Sequence, residues 1–172
     1  MKNTADITLE ELAAKVGDRL VSRNEFLVTA ESCTGGWVSM LVTSITGSSA
    51  WFDRGFVTYS NEAKQEMLAV DKQTIEIHGA VSEEVARHMV EGAVEHSHAQ
   101  AGLSVTGIAG PGGGSVGKPV GTVCFGWLVD GQCETETCYF SGDREQIREQ
   151  SVRHVLAALL ARLEHGSDRW LK

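Results

Sequence analysis

The chain has 172 residues, 42% hydrophobic and 22% charged, which suits one domain that buries a core without disulfide staples. A formal net charge of -8 with no basic run argues against nucleic acid as a partner, and the bulk field would weakly repel an anionic ligand not met by local donors. No segment approaches the ~18 apolar residues that span a bilayer, and the N-terminus MKNTADITLEEL lacks a signal-peptide core, so a cytoplasmic chain with no membrane contact is expected.

Thr8-Leu9-Glu10-Glu11 is a capping box, and Leu9, Leu12, Ala13, Val16 and Leu20 follow at helical spacing to about Arg23. FLVTA (26–30) reads as a buried strand, ESCTGG as a turn, and WVSMLVTSI as a buried helix ending at Gly47. Phe52 to Ser60 is rich in aromatic and β-branched residues and is expected as a strand. Asn61 can cap a short helix to Leu68, and Ser82 caps a longer one, EEVARHMVEGAVEHS. LSVT (103–106) is a further buried strand before the glycine-rich loop 107–119. VGTVCFGWLV, Asp130-Gly131 and QCETETCYF form a hairpin with a tight turn. Ser141 or Asp143 opens the last helix, lined by Ile147, Val152, Val155, Leu156, Leu159, Leu160 and Leu163. The order αβαβααβββα predicts an α/β single-domain layered fold, with a mixed β-sheet and helices on both faces.

Several patterns fail on inspection. Gly112 to Lys118 begins like a phosphate-binding P-loop, but Pro119 stands where Ser or Thr must bind magnesium, and a strand follows instead of a helix. Tyr59 and Lys64 are five apart across a strand-to-helix junction, unlike the helical tyrosine–lysine pair of short-chain dehydrogenases, and no dinucleotide fingerprint follows the first strand. His96 and His98 lie at a polar helix end without a third ligand nearby in sequence. Cys33, Cys124, Cys133 and Cys138 show no metal spacing, so reduced thiols and no metal or other cofactor are expected.

Two clusters carry candidate chemistry. GSSAWFDRGFVTYSNEAK (47–64) holds Ser48, Ser49, Tyr59 and Lys64 without a histidine. A serine hydroxyl needs a base, and lysine serves if burial and a helix N-terminus lower its pKa; Tyr59 could relay the proton. The plain reading is a capping serine pair, a strand tyrosine and a solvated lysine. In ESCTGG, Ser32, Thr34 and the backbone N–H groups of Gly35 and Gly36 could cradle an anion at a helix start, or could simply be a close-packed turn. Cys33 with Glu31 and Lys64 would imitate the cysteine–glutamate–lysine set of nitrilase-type amidases, a minor alternative in so short a chain.

AESCTGG (30–36), GSSAWFDRGFVTYSNEAK (47–64), HGAVSEE (78–84), SVTGIAGPGGG (104–114), KPVGTV (118–123) and GDREQIR (142–148) together resemble the CinA C-terminal family, in order and from about residue 8 to residue 165. The resemblance implies one amidase domain over residues 1–172, as in the stand-alone form of the family, since the chain begins directly at this region. It implies hydrolysis of nicotinamide mononucleotide (NMN) to nicotinate mononucleotide and ammonia in pyridine-nucleotide recycling, without metal. By the same resemblance the nucleophile is Ser49, assisted by Tyr59 and Lys64. Thr106 and Gly107 lie in the substrate pocket, and Arg144, chosen over Arg148, reaches the substrate. A homo-oligomer, as a dimer, completes the partner expectations. The alternative is a non-catalytic nucleotide-binding module of the same fold.

Overall fold

Thr8 closes its capping box with Glu11 (Thr8 N to Glu11 Oε2 2.8 Å, Glu11 N to Thr8 Oγ1 3.1 Å) and starts α1 (Leu9–Arg23) in the computed structural model, which describes residues 7–165. The buried strand β1 (Leu27–Glu31) leads through the ESCTGG turn into α2 (Trp37–Ser44), and a 3-10 turn (Ser48–Ala50) precedes β2 (Phe52–Val57). Next come α3 (Asn61–Leu68), α4 (Lys72–His78) and α5 (Glu83–Glu95). The chain ends with β3 (Ala101–Gly107), the β4 (Thr122–Val129) and β5 (Gln132–Tyr139) hairpin, and α6 (Arg144–His165).

The sheet order is β2-β1-β3-β4-β5. β2, β1 and β3 run parallel, and β4 and β5 add antiparallel pairs, so the sheet is mixed as expected. Leu12, Val16 and Leu20 of α1, Val38 of α2, and Val155, Leu156 and Leu159 of α6 bury one face against Leu103, Phe125 and Trp127. Leu68 of α3, Ile75 of α4, and Val85 and Met89 of α5 cover the other against Val28 and Ala30. β1, between the two layers, reads as a continuous apolar run because both of its faces are buried.

Three local details differ from the sequence reading. α4 was not anticipated: its apolar stripe is thin, with Ile75 as its buried residue, and Asp71 caps it by accepting from Thr74 N (3.0 Å). Ser60, not Asn61, caps α3, accepting from Ala63 N at 3.0 Å. β2 is shorter than the expected Phe52 to Ser60 and ends at Val57, with Thr58 N→Glu31 O (2.8 Å) as the last bond of its parallel ladder with β1.

The topology decides where chemistry can occur. The chain leaves β1 toward β2 on one side and returns to β3 on the other, so β1 and β3 flank a switch point. The crevice beyond the carboxyl ends of such strands is where open α/β sheets hold ligands. Ser32 follows β1, Tyr59 and Lys64 follow β2, and Thr106 and Gly107 end β3. No described helix is long and apolar enough to cross a membrane.

Candidate active site

Glu31, the last residue of β1, is fully buried yet charged in character. Its carboxylate accepts from Thr34 Oγ1 (2.7 Å), Val38 N (3.0 Å), and Ser39 N and Oγ (2.8 Å each). It thereby caps the first turn of α2, whose own N-cap, Gly36, has no side chain to do so. The turn held between β1 and this cap contains Ser32, and Ser32 N is tied to Val105 O of β3 at 2.9 Å. The serine is therefore fixed at the switch point from both sides.

Lys64 reaches the same point from the first turn of α3. Its side chain is 2% exposed, with Nζ 3.1 Å from Ser32 Oγ and 2.9 Å from Thr58 O. Burial lowers its pKa, against a smaller opposing effect of the Cys33 thiol. No carboxylate forms an ion pair with it among the described residues. A neutral amine at this position can donate to Thr58 O and accept the proton of Ser32 Oγ with the same heavy-atom positions. The pair has the geometry of a nucleophile and its general base.

A cavity of about 220 Å³ opens over this pair. Tyr59, Asn61, Thr106, Gly107 and Arg144 form its polar wall; Cys33, Ala80, Val81 and Ala109 complete the lining. Arg144 Nη2 donates to Tyr59 Oη (2.9 Å) while Nη1 donates to Gly110 O (2.7 Å), so one guanidinium links the tyrosine to the glycine-rich loop. Tyr59 Oη accepts here and keeps its own proton for a ligand. Thr106 Oγ1 donates to Ala80 O (2.8 Å), which pins the strand end to the segment before α5. A larger neighbouring cavity of about 370 Å³ shares Val81 and also holds a serine and a lysine, but Ser82 Oγ donates to Gly79 O (2.8 Å) and Lys118 Nζ to His78 O (2.6 Å).

The structure brings Ser32, Tyr59, Lys64, Thr106, Gly107 and Arg144 together and leaves Ser49 out. Ser49 is exposed in the 3-10 turn before β2, whereas Lys64 comes after it. Six strand residues at about 3.3 Å each put roughly 20 Å between them. The serine that meets the lysine is Ser32. Thr34, Gly35 and Gly36 also fall outside the cavity lining: Thr34 is buried with its hydroxyl on Glu31, and the two glycines take positive φ to turn the chain into α2. Arg148 spends its donors on Cys33 O (3.1 Å) and Thr34 O (3.0 Å), with its guanidinium over Trp37. That leaves Arg144 as the cavity's arginine.

Cys33 borders the cavity, but burial pushes its thiol up to about 12, and Glu31 is already spent on α2. A thiolate nucleophile does not fit this environment. Asn61 and the Thr58 carbonyl are site elements the sequence reading missed. Asn61 lay within a quoted motif as a helix cap; a backbone carbonyl leaves no mark in sequence.

Residues 9–163 match the family described as the CinA C-terminal domain. The chain is 50% identical over 155 residues to the nicotinamide-nucleotide amidohydrolase PncC of Escherichia coli strain K12, covering 90% of this chain and 94% of that protein. It is 48% identical over 159 residues to a CinA-like protein of Syntrophobacter fumaroxidans, covering 92% of this chain and 38% of that longer protein. The crystal structure of competence damage-inducible protein A (ComA) from Klebsiella pneumoniae superposes with a TM-score of 0.89 at 41% identity, covering 92% of this chain and 99% of the other.

Proposed function

The chain belongs to the CinA C-terminal domain family, and from that premise we propose that it hydrolyses the carboxamide of NMN to nicotinate mononucleotide and ammonia, a step of pyridine-nucleotide recycling. The PncC relatives that share nearly their whole length with this chain are named for amide hydrolysis of a nicotinamide nucleotide. The observation that carries the mechanism is the 3.1 Å contact between Lys64 Nζ and Ser32 Oγ in a cavity lined by Tyr59 and Arg144.

Ser32 Oγ attacks the carboxamide carbon as Lys64 Nζ takes its proton. The pyridinium ring withdraws electrons and makes that carbon a better electrophile. The tetrahedral oxyanion needs preorganised donors; backbone N–H groups of the turn after Ser32 or of the loop after Thr106 are the candidates. Lys64, now an ammonium, returns the proton to the leaving nitrogen, with Tyr59 placed to relay it, and ammonia departs. Water then attacks the Ser32 acyl ester with Lys64 again as base, and Lys64 passes that proton to the departing Ser32 Oγ as the nicotinate product is released. Arg144 offers positive charge at the cavity wall for the nucleotide phosphate.

Incubation of the protein with NMN tests the reading. Stoichiometric release of ammonia and nicotinate mononucleotide is expected. Tight NMN binding without ammonia would leave a nucleotide-binding module in its place.

A further inference from the structure

Along β5 the side chains alternate between layers. Thr135 and Thr137 turn toward α5, where each hydroxyl donates to Glu83 at 2.8 Å. Glu134, Glu136 and Cys138 therefore face α6, and Glu134 is held there by Arg162 (2.9 Å). His154 stands earlier on the same helix. Its Nε2 lies 3.0 Å from Glu136 Oε2 and 3.5 Å from Cys138 Sγ, and the three ligand atoms all fall within 4.8 Å of one another. The imidazole is wedged against Phe125 (centroids 4.8 Å apart), with Trp127 and Phe140 at 6.0 and 6.1 Å.

We propose that Glu136, Cys138 and His154 form a site for a zinc-class divalent cation that clips the edge strand β5 to α6. A thiol, an imidazole and a carboxylate are the donor set such cations prefer. Zinc–sulfur and zinc–nitrogen bonds of about 2.3 and 2.0–2.1 Å at a tetrahedral angle put sulfur and nitrogen about 3.5 Å apart, the spacing of Cys138 Sγ and His154 Nε2. Two ligands on one strand at i and i+2 share a face, and the packed imidazole arrives already oriented. Glu136 is 46% exposed at its side chain, so water completes the fourth position. On binding, the Cys138 thiol gives its proton to solvent as the sulfur–metal bond forms. Nε2 of a neutral His154 binds the metal instead of pairing with Glu136. As the edge strand, β5 has a ladder on one side only, so the clip would add a second attachment.

The site is separate from the serine–lysine cavity. His154 is ten residues along α6 from Arg144, about 15 Å at 1.5 Å per residue, and none of the three ligands lines that cavity.

Cobalt(II), titrated into the full-length protein after chelator treatment, is the direct probe. One equivalent should bind with a thiolate-to-metal absorption band and the visible bands of tetrahedral cobalt, and zinc should displace it and raise Tm. The thiolate band should vanish in Cys138→Ser and persist in Cys133→Ser, whose thiol lies on the opposite face of β5. His154→Gln and Glu136→Gln should each weaken binding by at least about 10-fold, since loss of even an outer partner of a ligand costs 10–100-fold. Circular dichroism confirms that each variant is folded. Turnover of NMN should be the same before and after chelation. Absence of stoichiometric binding by the unmodified protein, or a thiolate band that survives Cys138→Ser, would overturn the proposal; metal-dependent turnover would overturn the separation of the two sites.

Discussion

Lys64 concentrates the residue-scale argument. It is buried in contact with one hydroxyl and one carbonyl, and its lowered pKa follows from lost solvation. A base must be neutral to accept a proton, so turnover should rise with pH through that lowered value and level off above it, measured as kcat against pH. Lys64→Arg keeps the charge but cannot release it. It should cost about 10²–10⁴-fold in kcat, the usual worth of a general base, while NMN affinity in a binding assay changes far less; substantial activity in Lys64→Arg would remove the lysine from that role. Cys33→Ala should keep turnover, because a thiol pushed to about 12 is not the nucleophile; ammonia release by that variant checks it. Arg144 entered only through the family resemblance, whereas sequence chemistry singled out Lys64 and Tyr59 as candidates for acid–base work. It could not supply the Thr58 carbonyl, nor distinguish Ser32 from Ser49 by residue type.

The order of elements bears on the choice between the two serines. Ser49 and Ser32 flank strands equally well, but parallel strands gather the residues that follow them, not those that precede them. Ser32, Lys64 and Thr106 each follow or end a parallel strand, and Ser49 comes before one. The strand directions were not visible in the apolar pattern of β1, which is the same read either way. Caps were more legible: Thr8 and Ser82 announce α1 and α5 by short-range chemistry, whereas α4 buries too little apolar surface to show a stripe. The cap with most consequence for the site, Glu31 on α2, acts across a turn and reads in sequence only as an acidic residue beside a serine. Glu31→Gln replaces one acceptor oxygen by an amide that faces donors, at about 1–3 kcal/mol for each donor left unsatisfied. Chemical denaturation should show that loss, with a fall in turnover as Ser32 shifts. Gly92 of α5 packs directly on the Leu68 carbonyl at the end of α3, the helix that carries Lys64. Gly92→Ala should lower stability by about 1–3 kcal/mol or more through overpacking, read as a lower Tm.

At the scale of the molecule, a net charge of -8 leaves the site's cations unaided by the bulk field. Under the proposed function, Arg144 would then meet the anionic NMN locally, at the edge of a cavity set by three parallel strand ends. The layered α/β class was legible because helical and strand periods alternate cleanly along the chain, and the apolar stripes of α1, α5 and α6 needed a sheet to cover. What joins those layers into one site is long-range pairing, which no local pattern encodes. The account's central claim is that Ser32, not Ser49, is the hydroxyl that Lys64 activates. Ammonia release from NMN by folded Ser32→Ala and Ser49→Ala proteins measures it directly. Ser32→Ala should lose about 10³-fold or more of kcat, the scale on which a catalytic nucleophile acts, and Ser49→Ala should stay near the unmodified protein. An active Ser32→Ala beside an inactive Ser49→Ala would contradict the account.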